Sequence, residues 1–223
     1  GENDPKGEDG PKDEDGPKDE DDIDQGAIID WGTDENDVSE GSIYGDLIYG
    51  GAGNDVLFGF GGNDSMVGNE GSDQLFGGAG NEIMFGGEGG DLLDGGDGMD
   101  LLDAGAGNDS VSAGAGNDVV YDQDGNDVVL LGAGDDVAHV GNGLNTIGTG
   151  EGEDIVIVSA IDSNGYTVIA DFEAGVDSLH LEDVKKFDMD YNEKLESWIL
   201  QLDKDTTIQI RTDEDISADI VLV

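Results

Sequence analysis

Residues 86–121 read GGEGGDLLD-GGDGMDLLD-AGAGNDSVS-AGAGNDVVY, four rows of nine in one register. The register extends in both directions. From Gly32 to Ile157 the chain writes as 14 rows with no insertion or deletion. The fourth position is Gly in 12 of them, with Glu35 and Tyr44 as exceptions. The sixth is Asp in 12, with Glu82 and Asn145 as exceptions. The eighth is aliphatic or Met in 12; Ser39 and Ala138 depart. A fixed period of this kind is the mark of stacked repeats, each unable to bury its apolar face alone.

The residue types dictate a shape. Three residues around the eighth position alternate out, in, out, as a short strand does. The first six positions then have to turn the chain. Glycine at positions one, two and four permits positive φ and close backbone approach. Two rows make a coil of strand, turn, strand, turn, so equivalent residues recur 18 apart. Successive coils stack as parallel strands about 4.8 Å apart, and seven coils give a roll about 30 Å long. The eighth positions of the two strand rows face each other in a thin core.

Position six then forms two stacks. One holds Asp37, Asp55, Asp73, Asp91, Asp109, Asp127 and Asn145; the other holds Asp46, Asp64, Glu82, Asp100, Asp118, Asp136 and Asp154. Carboxylates about 5 Å apart repel unless a cation lies between them. Glycine turns add backbone carbonyls to the same gap. Several hard oxygen donors in a flexible loop suit Ca²⁺, whereas Mg²⁺ wants a tighter octahedron. Transition metals prefer His or Cys; the rows have one His and no Cys.

Charge agrees with that reading. The 223 residues carry 55 Asp+Glu against 8 Lys+Arg, a formal net charge of −47. Residues 32–157 hold 26 acids and no Lys or Arg, and 33 of the 40 glycines. A stretch with no internal counter-charge calls for cations from outside. The sign excludes nucleic acid as a partner and opposes anionic membrane surfaces. No apolar run is long enough for a transmembrane segment. The absence of Cys removes disulfides and thiol chemistry.

The rows resemble the RTX, or hemolysin-type, calcium-binding nonapeptide repeat G-G-x-G-x-D-x-U-x of secreted bacterial proteins. The resemblance covers residues 32–157, with rows 32–40 and 41–49 degraded. It implies an all-β, right-handed parallel β-roll that folds on calcium outside the cell after type I secretion. It also implies a ligand pattern, with each ion between turns of adjacent coils. The side-chain ligands would be Asp46, Asp55, Asp64, Asp73, Glu82, Asp91, Asp100, Asp109, Asp118, Asp127, Asp136 and Asp154. The backbone carbonyls would come from Gly51, Gly53, Gly78, Gly80, Gly87, Gly89, Gly96, Gly98, Gly105, Gly107, Gly114 and Gly116. Six gaps per stack set a ceiling of twelve sites. Rows with Glu35, Tyr44, Glu82 or Asn145 lower the expectation to about 8–10 calcium ions, at the weak affinities of extracellular modules.

The flanks read differently. Residues 1–31 contain all three prolines and the imperfect hexapeptide PKGEDGPKDEDGPKDED (5–21), read as an extended acidic linker. Residues 158–223 read as a β-rich cap that covers the last open edge of the roll. The stretch YTVIADFEAGVDSLHL (166–181) is similar to segments that follow RTX rolls. Asp171 and Asp177 read there as turn-forming carboxylates, with a last calcium as the alternative. The end, DIVLV (219–223), is similar to type I secretion signals, and a terminal strand explains it equally.

Outward positions seven and nine of one face are unusually apolar, from Leu47/Tyr49 and Ile83/Phe85 to Ile155/Ile157. They suggest contact with a passenger domain, the cap or another copy. His139 and His180 stand alone and read as neither ligand nor catalyst. No HExxH or GxSxG motif and no recognisable Ser/His/Asp set occurs, so no catalytic residue is assigned. The chain thus reads as a calcium-binding roll that stabilises or presents an attached domain. The alternatives are a non-catalytic module of a secreted protease, lipase or alginate epimerase, and a surface adhesion or self-assembly module.

Overall fold

The structure, a computed structural model, describes residues 26–159, 165–184, 187–202, 206–212 and 214–223. Of the linker expected over residues 1–31, residues 1–25 lie outside these, and Ile29–Trp31 is a strand of the roll rather than linker. The described residues form strands and turns with no helix. Two sheets run side by side along the chain. The first is ordered Ile29–Trp31, Leu47–Ala52, Ser65–Glu70, Ile83–Glu88, Leu101–Ala106, Val119–Tyr121, Val137–Val140, Ile155–Ser159, Ser178–Glu182 and Ile220–Leu222. The second takes the alternate strands, from Val38–Glu40 and Val56–Gly61 through Val128–Ala133 to Gly165–Ile169 and Thr207–Ile210. Neighbours are parallel and displaced by one coil, as in Leu47↔Ser65 and Ser110↔Val128. This is the stacked β-roll that the period required.

The strands are longer than the three residues that alternation alone suggests. Most span six, from position seven through position three of the following row, as in Leu92–Asp97. The chain stays paired while it bends. Gly78 and Gly96 are register partners although both have left-handed φ, 108° and 104°. The turn is confined to positions four to six. Positive φ falls at positions two and four, as at Gly78 and Gly80, and position one is not left-handed. In the rows with glycine there, that position is closely approached by its neighbours. A Cβ at Gly86 would lie 2.6 Å from Asp91 Oδ2.

The longer strand adds a second inward residue to each row. The eighth positions Ile48, Leu57, Met66, Leu75, Met84, Leu93 and Leu102 are completely buried, as expected. Position one is buried too, and contributes Ala104, Ala113, Leu131 and Val140 to the core. Each fully buried Leu or Met contributes roughly 1.5–3 kcal/mol of burial.

Parallel stacking also begins earlier and continues later than the repeat. Ile29–Trp31 pairs with Leu47–Ala52. Beyond Ile157, Gly165–Ile169, Ser178–Glu182, Thr207–Ile210 and Ile220–Leu222 all extend the two stacks in parallel. Their alternation suffices for this, with Ile169, Leu179, Leu181, Ile208 and Ile210 completely buried. Among the described strands the antiparallel pairings are those that join Ser197–Gln201 to Asp188–Asn192 and to Thr207–Ile210, at the end of the second sheet.

Candidate metal-binding ladder

Position six sits where the turn rejoins the next strand, so its side chain folds back under the coil. From Asp46 to Asp154 these residues are buried, none above 4 % exposed. Each inner aspartate does one thing within the protein. Its Oδ1 accepts the backbone N–H of the position-six residue one coil earlier. Asp55 N–H donates to Asp73 Oδ1, Asp73 to Asp91, Asp91 to Asp109 and Asp109 to Asp127, at 2.8 Å each. The second stack repeats this from Glu82 to Asp100, Asp118, Asp136 and Asp154.

The other oxygen has no donor. Among the described residues, Oδ2 of Asp55, Asp64, Asp73, Asp91, Asp100, Asp109, Asp118, Asp122, Asp127, Asp136 and Asp154 is buried and unpartnered, as are both oxygens of Glu82. Buried polar groups are normally paired, and an unpaired charge is costly. The backbone N–H groups of position five are taken elsewhere. Asn side chains there form a counter-running ladder, with Ser72 N–H donating to Asn54 Oδ1 (2.8 Å) and Asn126 N–H to Asn108 Oδ1 (2.9 Å). The recurring Asn at position five is the sequence signal of this ladder.

Backbone carbonyls face the same gaps. Those of Gly78, Gly87, Gly96 and Gly114 point at position two of the next coil, so closely that a Cβ there would collide. Those of Gly53, Gly80, Gly89, Gly98, Gly107 and Gly116 point likewise at position four. One coil on from Gly51 and Gly105 stand Asn69 and Gln123, left-handed as well at 80° and 59°. Among the described residues no three His, Cys, Asp or Glu side chains converge on one point. A cation here would therefore need carbonyls to complete its shell. Two carboxylates plus carbonyl oxygens form a hard donor set that fits Ca²⁺.

The electrostatics record the strain. Desolvation raises Asp64, Asp73, Asp91, Asp109, Asp118 and Asp127 to about 6 and Asp154 to about 7, against the opposing backbone hydrogen bond. Asp100 and Asp136 shift upward for the same reason. These groups are closed to water yet lie in a thin wall, so their desolvation is partial. Glu82 rises further, to about 8, through burial and then the Asp100 carboxyl. As carboxylates the two have no donor between them, and only a proton or a cation can join them.

The ends of the stacks differ. Asp37 Oδ2 accepts Thr33 N–H (2.6 Å) and Oγ1–H (2.8 Å). Asp46 Oδ2 accepts Ser42 N–H (2.5 Å), and its Oδ1 accepts Ile28 N–H (2.5 Å). Thr33 and Ser42 occupy position two, where every row from Gly51 to Gly132 carries a left-handed residue. Asp177 Oδ2 accepts Glu173 N–H four residues back (2.8 Å), and Asp171 Oδ1 accepts Thr149 N–H (2.8 Å). Asn145 donates to the Gly141 carbonyl (3.3 Å). Asp46, one of the expected ligands, is thus satisfied within the protein. Asp122, which position-six reasoning passed over, carries an orphan oxygen.

The outer strip of the first sheet points away from the core, with Ile83 and Phe85 exposed. Trp31 stacks on Tyr49 at 4.3 Å and Tyr121 on His139 at 4.4 Å. His139 thus belongs to a surface stack, with burial holding its pKa below the usual value.

A family model for the RTX calcium-binding nonapeptide repeat matches the chain in four copies, over residues 31–59, 58–93, 94–121 and 121–156. No curated protein matches it.

Proposed function

The chain belongs to the RTX calcium-binding nonapeptide repeat family, and from that premise we propose that it is a calcium-loaded roll whose fold depends on its ions. The observation that carries this is the row of buried carboxylate oxygens without donors. Gaps flanked on both sides by such oxygens number four in the stack from Asp55 to Asp127 and five in the stack from Asp64 to Asp154, nine in all. Each ion would take a carboxylate from both coils and the carbonyls at positions two and four. Asp46 falls outside this set, because its oxygens already have donors.

Binding that favours only the folded state stabilises it by RT ln(1 + [L]/Kd) per site, and nine sites act together. The chain would stay unfolded at cytosolic calcium and fold in a calcium-rich exterior. An unfolded chain suits passage through type I secretion machinery, and the folded roll would then stabilise or present an attached passenger domain. A secreted bacterial location is in keeping with the family, and no described helix is long and apolar enough to cross a membrane. The exposed Ile83 and Phe85 favour a second reading, self-association through the outer strip.

Equilibrium dialysis at millimolar calcium tests the site set. About nine ions per chain are expected. A stoichiometry of two or fewer would overturn the ladder reading.

A further inference from the structure

One row departs from the rule at position one. Elsewhere that inward position holds Gly, or Ala104, Ala113, Leu131, Val140 and Thr149, all small or uncharged. Row 122–130 puts Asp122 there, at 1 % exposure. The backbone decides what it meets. A Cβ at position one would approach the position-six Oδ2 of its own row, to 2.6 Å in the pair Gly86 and Asp91. The Asp122 carboxyl is thereby delivered towards Asp127.

Its oxygens divide as those of the ladder do. Oδ1 accepts the Gly141 N–H. Oδ2 has no donor, and neither does Oδ2 of Asp109 or Asp127. The local backbone has yielded to this arrangement. The strand Val119–Tyr121 stops where its neighbours run on, and Asp124 keeps only isolated bridges to Ala106 and Asn142. Burial holds Asp122 up at about 8, and Asp127 and Asp109 add to it. An apolar side chain fits the same position, as Ala104 and Ala113 do, so a buried carboxylate is not needed to fill space.

We propose that Asp122 is a third carboxylate ligand in the Asp109–Asp127 gap, making it the tightest calcium site of the roll. This rests on the reading that position-six pairs bind calcium. The three side chains do not meet at one point in the cation-free arrangement; a cation between them supplies the attraction that draws Asp122 in. Affinity in oxygen-ligand sites rises with ligand charge count. A site of charge −3 among sites of −2 therefore forms its own class.

The test is calcium titration calorimetry on the whole chain and on Asp122→Ala and Asp122→Asn. Alanine already occupies this position in two rows, and Asn keeps the shape without the charge. The wild type is expected to show one site about tenfold tighter than the rest. Both variants should lose that class and keep the remainder. Wild-type isotherms in both variants would overturn the assignment and leave Asp122 a protonated filler. No calcium binding by the wild type would overturn both this inference and the ladder beneath it.

Discussion

Calcium-stripped protein taken from pH 7.5 to pH 4.5 should gain β structure, and this follows quantitatively from the buried carboxylates. Six aspartates, Asp64, Asp73, Asp91, Asp109, Asp118 and Asp127, rise from 3.8 to about 6. Two units correspond to about 3 kcal/mol each. Their shallow depth discounts that to roughly half through solvent screening. Six such groups still oppose the ionised, cation-free fold by roughly 9 kcal/mol, within the ~5–15 kcal/mol that stabilises a whole domain. Glu82 and Asp154, held at about 8 and about 7, add to it. The sign is that of a raised acid. The stabilising contribution is complete below the unfolded value near 4 and is lost as pH rises through about 6. Without calcium, far-UV circular dichroism should show β structure at pH 4.5 and lose it by pH 7.5. With millimolar calcium it should persist at both. Sedimentation velocity must accompany the acid measurements, because the sequence pI is about 4.1 and aggregates also give a β signal. A β spectrum that survives calcium removal at pH 7.5 refutes the reasoning. A monomer that fails to recover at pH 4.5 refutes the assignment of the penalty to these groups.

Three further outcomes are expected. Asp91→Asn should remove calcium from the two gaps it flanks, whereas Asp46→Asn should leave the stoichiometry unchanged; equal losses in dialysis would contradict the separation of end and inner rungs. Glu82→Asp restores the length of the other rungs, so calorimetry should show tighter binding at the neighbouring gaps, and weaker binding counts against the geometric argument. Gly89→Ala forces a Cβ into the Gly71 carbonyl at φ 133°, which should cost roughly 2 kcal/mol or more; an unaltered thermal midpoint in saturating calcium would show that the coil spacing can relax.

Much of the ladder was legible because a nine-residue period permits only one stacking. Once Asp55 lies over Asp37 and under Asp73, every other rung follows, and the same period puts Leu57 and Leu75 inside. The end rungs were legible only as degraded rows, and how Asp37 and Asp46 are satisfied was not. Asp37, Asp46 and Asp91 are the same residue at the same position. What separates them is which backbone N–H reaches Oδ2, and that depends on the conformation at position two of the same row, Thr33 and Ser42 against Gly87. Nor could the repeat show where parallel stacking stops, since Ser178–Glu182 and Ile220–Leu222 continue it on alternation alone.

The sequence by itself determined the coil, its 18-residue rise and the two lines of carboxylates, because spacing along a chain of fixed geometry is enough to set register. Tertiary structure decided which carboxylate oxygens remain without a donor. It also decided that position one faces inward, so that Asp122 is a buried carboxyl and not a turn residue. The physical reason is that strand length and hydrogen-bond satisfaction are settled by the coils above and below, and a single row carries no record of its neighbours.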